Sequence, residues 1–166
     1  MKDVRKDTLF PKPVLEESRC LRSGPGRSGC TACRDACPIT GFHLNGGIVT
    51  LPDDCISCHL CTAACPEGAI RGMLPPSRLL SLTEIVLKCE RVDQHGGALI
   101  ACVGAIPKAF LEVAAVRKSS VQLVTGPCKQ CECRIGLALC EQRIARIHET
   151  RPLRLHRSEK PFGEAP

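Results

Sequence analysis

The stretch Cys55–Pro66, Cys-Ile-Ser-Cys-His-Leu-Cys-Thr-Ala-Ala-Cys-Pro, determines how the rest of the chain is interpreted. Its four cysteines follow the spacing C-x2-C-x2-C-x3-C-P, and thiolates at this spacing hold a [4Fe–4S] cluster. Proline cannot continue a helix, so the chain turns away directly after the fourth cysteine. The stretch therefore predicts an iron–sulfur site.

Composition sets the broad class of the protein. The chain has 166 residues, enough for one domain or two small ones, and it contains 14 cysteines. A disulfide scaffold would need an oxidising compartment. The first ten residues contain no apolar run of signal-peptide length, and no window is long and apolar enough for a membrane helix. We therefore expect a cytoplasmic protein with reduced thiols and no transmembrane segment.

The positive charge of the chain is a weak indication of nucleic-acid binding. The formal net charge of +6 counts every thiol as neutral. A [4Fe–4S] core with four thiolates carries about −2, so two such clusters would leave roughly +2. Aromatic side chains, on which bases stack, make up only 2% of the chain. We expect no nucleic-acid partner.

An incomplete copy of the motif lies upstream. Cys30, Cys33 and Cys37, with a proline after the last, match the final three cysteines of the pattern, but Arg27 stands where the first should be. Cys20 lies ahead of an insertion rich in Gly and Ser, which indicates a loop. Loop closure costs rise slowly with length, so we expect Cys20 to return as the displaced first ligand. The alternatives are a three-iron cluster, or a non-cysteine fourth ligand with Cys20 merely buried.

Residues 20–72 resemble the two-[4Fe–4S] ferredoxins of bacterial type, in which each half gives its last cysteine to the opposite cluster. The two motifs carry the resemblance, and Asn45-Gly46-Gly47 between them predicts a hairpin. The resemblance implies electron transfer and two clusters. One would be held by Cys20, Cys30, Cys33 and Cys65, and the other by Cys37, Cys55, Cys58 and Cys61. His59 is then interpreted as a solvent-facing residue or one that only surrounds the ligands.

The second half of the chain predicts a small α/β unit. Short apolar runs at 85–89, 98–102 and 121–125 suit buried parallel strands, and helical spacing covers 106–118 and 134–147. The expected fold class is α+β, a dicluster ferredoxin-like domain followed by a small α/β domain with a short parallel sheet. We expect five divisions: a mobile lead (1–15), the ferredoxin-like domain (16–72), a proline-stiffened linker (73–78), the α/β domain (79–148) and a solvated basic tail (149–166).

Cysteines recur where the predicted strands end. That edge is where open α/β sheets place their sites, so we expect a third metal centre there. Its ligands would be Cys89, Cys102, Cys128 and either Cys131 or Cys133. Four thiolates suit a [2Fe–2S] cluster or zinc, and a redox-active dithiol or plain buried thiols are the alternatives. Cys140, among leucines in the last helix, is expected in the core.

Residues 84–140 resemble the small iron–sulfur (delta) subunit that joins methanogen hydrogenases to heterodisulfide reductase. The matching pieces are Cys89, Cys102-Val-Gly104, Gly126-Pro127-Cys128 and Cys131. This resemblance implies an electron conduit between redox partner proteins, as a ferredoxin or as a subunit of a larger oxidoreductase. The alternative is a redox-sensing or partner-binding module with structural clusters or zinc. No phosphate loop, dinucleotide fingerprint or nucleophile–base pair indicates an enzyme in its own right.

Overall fold

The computed structural model of the chain describes residues 9–23, 28–92 and 96–161. These residues form a mixed structure of helices and strands, with one four-stranded sheet and two two-stranded sheets. Among the described helices, none combines the length and the apolar character needed to cross a bilayer.

The first half consists of six short elements. They are β1 (Val14–Leu15), α1 (Ala32–Asp35), β2 (His43–Asn45), β3 (Ile48–Thr50), α2 (Leu60–Ala64) and β4 (Ile70–Arg71). The predicted hairpin forms between β2 and β3, with Leu44 opposite Val49. Gly46 and Gly47 have φ angles of 56° and 88°, which glycine adopts without a steric penalty.

The second half is built on a parallel sheet. Its elements are β5 (Glu84–Cys89), β6 (Ala98–Ile100), α3 (Lys108–Val116), β7 (Ser120–Thr125), α4 (Arg134–His148) and β8 (Arg154–Glu159). The strand order is β6-β5-β7-β8, and every pairing is parallel. The predicted parallel sheet is therefore present. The central strands β5 and β7 place Ile85, Leu87, Val121 and Leu123 in the core.

The expectation of a solvated, mobile tail is wrong for residues 154–159. These residues form β8, which pairs with β7 so that Leu155 lies opposite Val121. Leu153 is buried, and Leu155 packs against the core on the same side. Arg154 and Arg157 are exposed, which is common on an edge strand and made the segment resemble a charged tail.

The expectation of a mobile lead is likewise wrong for residues 9–15, while residues 1–8 lie outside the described part of the chain. β1 pairs with β4, and the Glu16 N–H donates to the Ala69 carbonyl at 2.7 Å. Phe10 is buried against the ring of His59, with the ring centroids 6.0 Å apart. The segment therefore covers one side of the second cysteine motif.

The two halves share one hydrophobic core. Ala36, Cys58 and Leu60 from the first half belong to the same buried cluster as Cys102 and Ile106 from the second. A smaller cluster lies wholly within the first half and is built around Phe42, Val49, Cys61 and Ile70. The second cysteine motif is therefore packed directly against the α/β half.

Gly72→Ala should destabilise the protein. A methyl carbon at this position would lie 2.6 Å from His59 Cε1 and 2.8 Å from Thr62 Oγ1, and both residues are buried. Overpacking of this kind costs about 1–3 kcal/mol, so the midpoint of denaturant unfolding by circular dichroism should fall. Gly29→Ala is the control, because its methyl carbon would meet nothing within 4 Å. Equal losses in both variants would contradict this account of Gly72.

Candidate metal centres

The first predicted set of cysteines lines one cavity. Cys20, Cys30, Cys33 and Cys65 all border it, together with apolar side chains that include Leu15, Val49 and Ile70. Cys33 lies in α1, and Cys65 follows α2, so both motifs contribute. Cys20 reaches the cavity from the other side of the insertion. Arg27, at the position that lacks a cysteine, lies outside the described residues.

The second predicted set lines a separate cavity. Cys37, Cys55, Cys58 and Cys61 border it, along with Pro13, Phe42, Pro52 and Ile56. Burial, and then the neighbouring thiols of Cys58, Cys55 and Cys37, raise the pKa of the Cys61 thiol far above its ordinary value. Four thiols this close cannot all be thiolates unless positive charge lies among them, and iron supplies such charge.

Backbone N–H groups are directed at several of these sulfurs. The Ala69 N–H donates to Cys65 Sγ at 3.3 Å. Burial raises the pKa of the Cys20 thiol, but hydrogen bonds from the backbone N–H groups of Ser23 and Arg22 outweigh it and leave that pKa below its ordinary value. Donors of this kind stabilise thiolates and tune the potential of the clusters they hold. The surroundings of Cys20 therefore favour its thiolate form.

The left-handed backbone of the second motif shapes its cavity. Ser57 and His59 have φ angles of 51° and 57°, which residues other than glycine seldom adopt. Ser57 and His59 lie on either side of Cys58, and their backbone conformation turns the chain tightly between Cys55 and Cys61. The three thiols consequently border the same cavity.

The donor sets fit iron–sulfur clusters. Each cavity brings together four thiols, the ligand type and number that a [4Fe–4S] core takes. Within the described ranges, no group of three or more His, Cys, Asp or Glu side chains is arranged to hold one metal ion. A cuboidal cluster, by contrast, needs its four ligands spread around it.

His59 is buried, so of the two interpretations from the sequence the one that places it around the ligands fits the structure and the solvent-facing one does not. Its side chain borders the second cavity, and its Nδ1 lies 3.5 Å from Thr62 Oγ1. The ring is enclosed by Phe10 on one side and by Gly72 on another. His59 therefore surrounds the ligands, and space for its ring depends on a glycine that the sequence analysis did not single out.

The cysteines of the second half lie at the carboxyl edge of the sheet. Cys89 is the last residue of β5, and Cys102 and Cys128 follow β6 and β7. Burial raises the pKa of the Cys128 thiol, and the nearby Cys102 and Cys131 add to the effect. The Cys89 thiol is 3.9 Å from the carbonyl oxygen of Ala101, the residue before Cys102. Cys89, Cys102 and Cys128 thus lie at the same edge of the parallel sheet, as the predicted topology requires.

Cys131 and Cys133 have different surroundings. Arg91 donates from Nη1 to Cys131 Sγ at 3.3 Å, and Cys131 is partly exposed. Cys133 is buried in the core at the start of α4. Sequence reasoning missed Arg91, although its place just beyond a strand-end cysteine was a usable signal.

Cys140 lies in the core. It is 1% exposed on α4, and burial raises the pKa of its thiol to about 12. Its side chain belongs to the apolar core that the two halves share, as expected for a free cysteine that packs as a small hydrophobic residue.

Comparison with known proteins assigns the family. Residues 48–71 match the model of the 4Fe-4S binding domain. One uncharacterized ferredoxin of Methanocaldococcus jannaschii is 39% identical over 44 residues, which cover 25% of this chain and 71% of that protein. A second uncharacterized ferredoxin of the same organism is 46% identical over 39 residues, 23% of this chain and 24% of that protein. No solved structure matches.

The chain is therefore an iron–sulfur protein of the electron-transfer class, with a 4Fe-4S binding domain in its first half. It belongs to the ferredoxin family. The family model ends at residue 71, so the whole parallel sheet lies beyond the residues that it matches.

Cys58→Ala should abolish the [4Fe–4S] absorbance of the second motif. Cys58 is buried beside Cys55 and Cys61, so no other thiol among the described residues lines that side of the cavity to replace it. Iron and acid-labile sulfide per chain should fall in anaerobically purified protein. Cys140→Ala is the matched control and should keep full iron content; loss of iron in the control would overturn the assignment of Cys140 to the core.

Proposed function

We propose that the protein carries two [4Fe–4S] clusters and a third metal centre. We further propose that it transfers electrons between redox proteins as a subunit of a larger cytoplasmic oxidoreductase. The first cluster is held by Cys20, Cys30, Cys33 and Cys65, and the second by Cys37, Cys55, Cys58 and Cys61. The third centre is held by Cys89, Cys102, Cys128 and Cys131.

The observation that carries the two-cluster proposal is the exchange of cysteines between motifs. The first cavity is bordered by Cys65 of the second motif, and the second cavity by Cys37 of the first. Such an exchange is the arrangement by which two-cluster ferredoxins hold both groups. Backbone N–H groups donate to the Cys20 thiol, which supports Cys20 as the fourth ligand. The motif position that normally supplies this ligand holds Arg27.

One observation supports the choice of ligands in the third centre. The nearby thiols of Cys102 and Cys131 contribute to the raised pKa of the Cys128 thiol. Cys131 is therefore favoured over Cys133. We favour a [2Fe–2S] cluster over zinc, because zinc has no redox chemistry to add to a ferredoxin.

The common core supports a role as an electron conduit. Cys58 of the second motif and Cys102 of the sheet edge belong to one buried cluster, so the cysteine groups of the two halves are held in fixed relation. A diffusing carrier needs only the ferredoxin half. A parallel sheet with its own cysteines suits a dedicated subunit that receives electrons at one end and delivers them at the other.

Metal analysis tests the proposal. Anaerobically prepared protein should contain about ten irons per chain, matching acid-labile sulfide and no zinc, because two [4Fe–4S] clusters and one [2Fe–2S] cluster hold that number. Electron paramagnetic resonance after reduction should resolve the third centre from the other two. About eight irons would confine redox function to the first half. With one zinc, that result would contradict the [2Fe–2S] assignment; without zinc, it would contradict the third centre itself.

The variant Cys20→Ala tests whether Cys20 is the fourth ligand of the first cluster. Loss of this thiol should release one iron from the first cluster and should give a three-iron paramagnetic signal in the oxidised protein, since three cysteines remain. Cys133→Ala is the matched control, because that thiol belongs to none of the three proposed sets. An unchanged iron count in Cys20→Ala would show that another group is the fourth ligand; a loss in Cys133→Ala would contradict the choice of Cys131.

A further inference from the structure

Leu60 connects the second cysteine motif to the α/β half. It is the first residue of α2, precedes Cys61 and is fully buried. Its neighbours in sequence border the second cavity, but its own side chain belongs to the core that contains Cys102 and Ile106. The residue therefore extends from one group of cysteines towards another.

Two glycines receive the end of that side chain. A methyl carbon on Gly136 would lie 3.2 Å from Leu60 Cδ2 and 2.5 Å from Cys102 Sγ. A methyl carbon on Gly104 would lie 2.6 Å from the Cα of Gly136 and would also collide with Leu60 Cδ2. Leu60 Cδ2 and Cys102 Sγ thus both lie close to the backbone of Gly136, and a β-carbon on residue 136 would collide with them.

Arg143 holds this junction together. Its Nη1 donates to the carbonyl oxygens of Gly104, at 2.6 Å, and Ile106, at 3.0 Å. These bonds fix the turn Val103–Ala105 against α4. The close approach of Gly104 and Gly136 is therefore maintained by a partly buried cation as well as by packing.

We infer that Leu60 and Gly136 form the positioning contact through which electrons pass between the Cys55–Cys61 thiols and Cys102. The C-terminal centre then exchanges electrons with the second cluster, and the first cluster is the terminal one of the three. This inference rests on the proposed function. Cys58 of the second cavity belongs to the shared core, whereas Cys20, Cys33 and Cys65 of the first cavity pack against the separate cluster of the first half.

The transfer is a simple one-electron step. With both groups bound, a low-potential one-electron donor would supply one electron to the cluster held by the Cys55–Cys61 thiols, and that electron would pass on to the centre that contains Cys102. No covalent bond forms or breaks, and no proton must move. The leucine and the glycines take no part in the chemistry; they set the length and packing of the gap between Cys61 and Cys102.

The experiment uses the full-length, cluster-loaded protein. The variants are Leu60→Ala and the milder Leu60→Val, which removes the δ-methyl groups and stays apolar. Leu111→Ala is the matched control, because Leu111 is equally buried in the same core and lies in α3. Iron content is measured first. Sub-stoichiometric photochemical reduction followed by freeze-quench electron paramagnetic resonance then records how fast the C-terminal signal appears after that of the second cluster.

Leu60→Val keeps most of the apolar packing, so it should retain full iron content and slow the appearance of the C-terminal signal. Leu60→Ala should slow that signal further in the molecules that retain both centres. Leu111→Ala should keep the wild-type rate. If Leu60→Val with full iron content transfers as fast as the wild type, or if Leu111→Ala slows equally, the inference is overturned. Wild-type protein without any C-terminal signal would instead refute the third centre itself, so the two failures are distinguishable.

Discussion

The structure depends on gathering four thiolates from distant parts of the chain around each of two small cavities. Neither motif can complete its own site, because Cys37 and Cys65 border the opposite cavity. The segment between them must therefore turn back on itself. The hairpin at Gly46 and Gly47 accomplishes this within a few residues. Sequence spacing, hairpin and cavity composition thus all agree with the two-cluster proposal.

The burial of so many thiols also has an electrostatic consequence. Without metal, burial holds the pKa values of Cys33, Cys55 and Cys61 above the ordinary range, so these groups favour the neutral form. Iron binds thiolates, and binding releases their protons. The folded state of the first half and the loaded state of its cavities are therefore coupled. Backbone donors such as Ala69 lower the cost at individual sulfurs.

Sequence patterns predicted the parts of the fold that follow from local chemistry. The hairpin, the three apolar strands, the last helix and the position of the strand-end cysteines all have short-range signals, and the structure contains them. The segments 9–15 and 154–159 were misjudged because their order comes from partners far away in sequence: β1 needs β4, and β8 needs β7. Charged residues on an edge strand look like a tail until the neighbouring strand is known.

The candidate sites show the same division between local and distant signals. The family resemblance implied two sets of cysteines, and each set borders one cavity. The burial of His59, by contrast, depends on Phe10 and Gly72, which only the three-dimensional arrangement brings near. Arg91 reaches Cys131 across 40 residues of sequence. The periodicity of apolar residues in the sequence does not predict such contacts, because they depend on how strand-end loops converge at one edge of the sheet.

The two halves differ in what stabilises them, and this difference explains why they are joined. Elements of two to five residues make up the first half, and its separate core has only a few apolar side chains. Isolated elements this short are marginal, so metal–thiolate bonds must supply much of their order. The second half has a sheet, two longer helices and an extensive apolar core. By inserting Leu60 into that core, the cluster-binding half gains a rigid support at the helix that carries Cys61. The α/β half is thus the scaffold on which the second cavity is mounted, whatever metal its own cysteines hold.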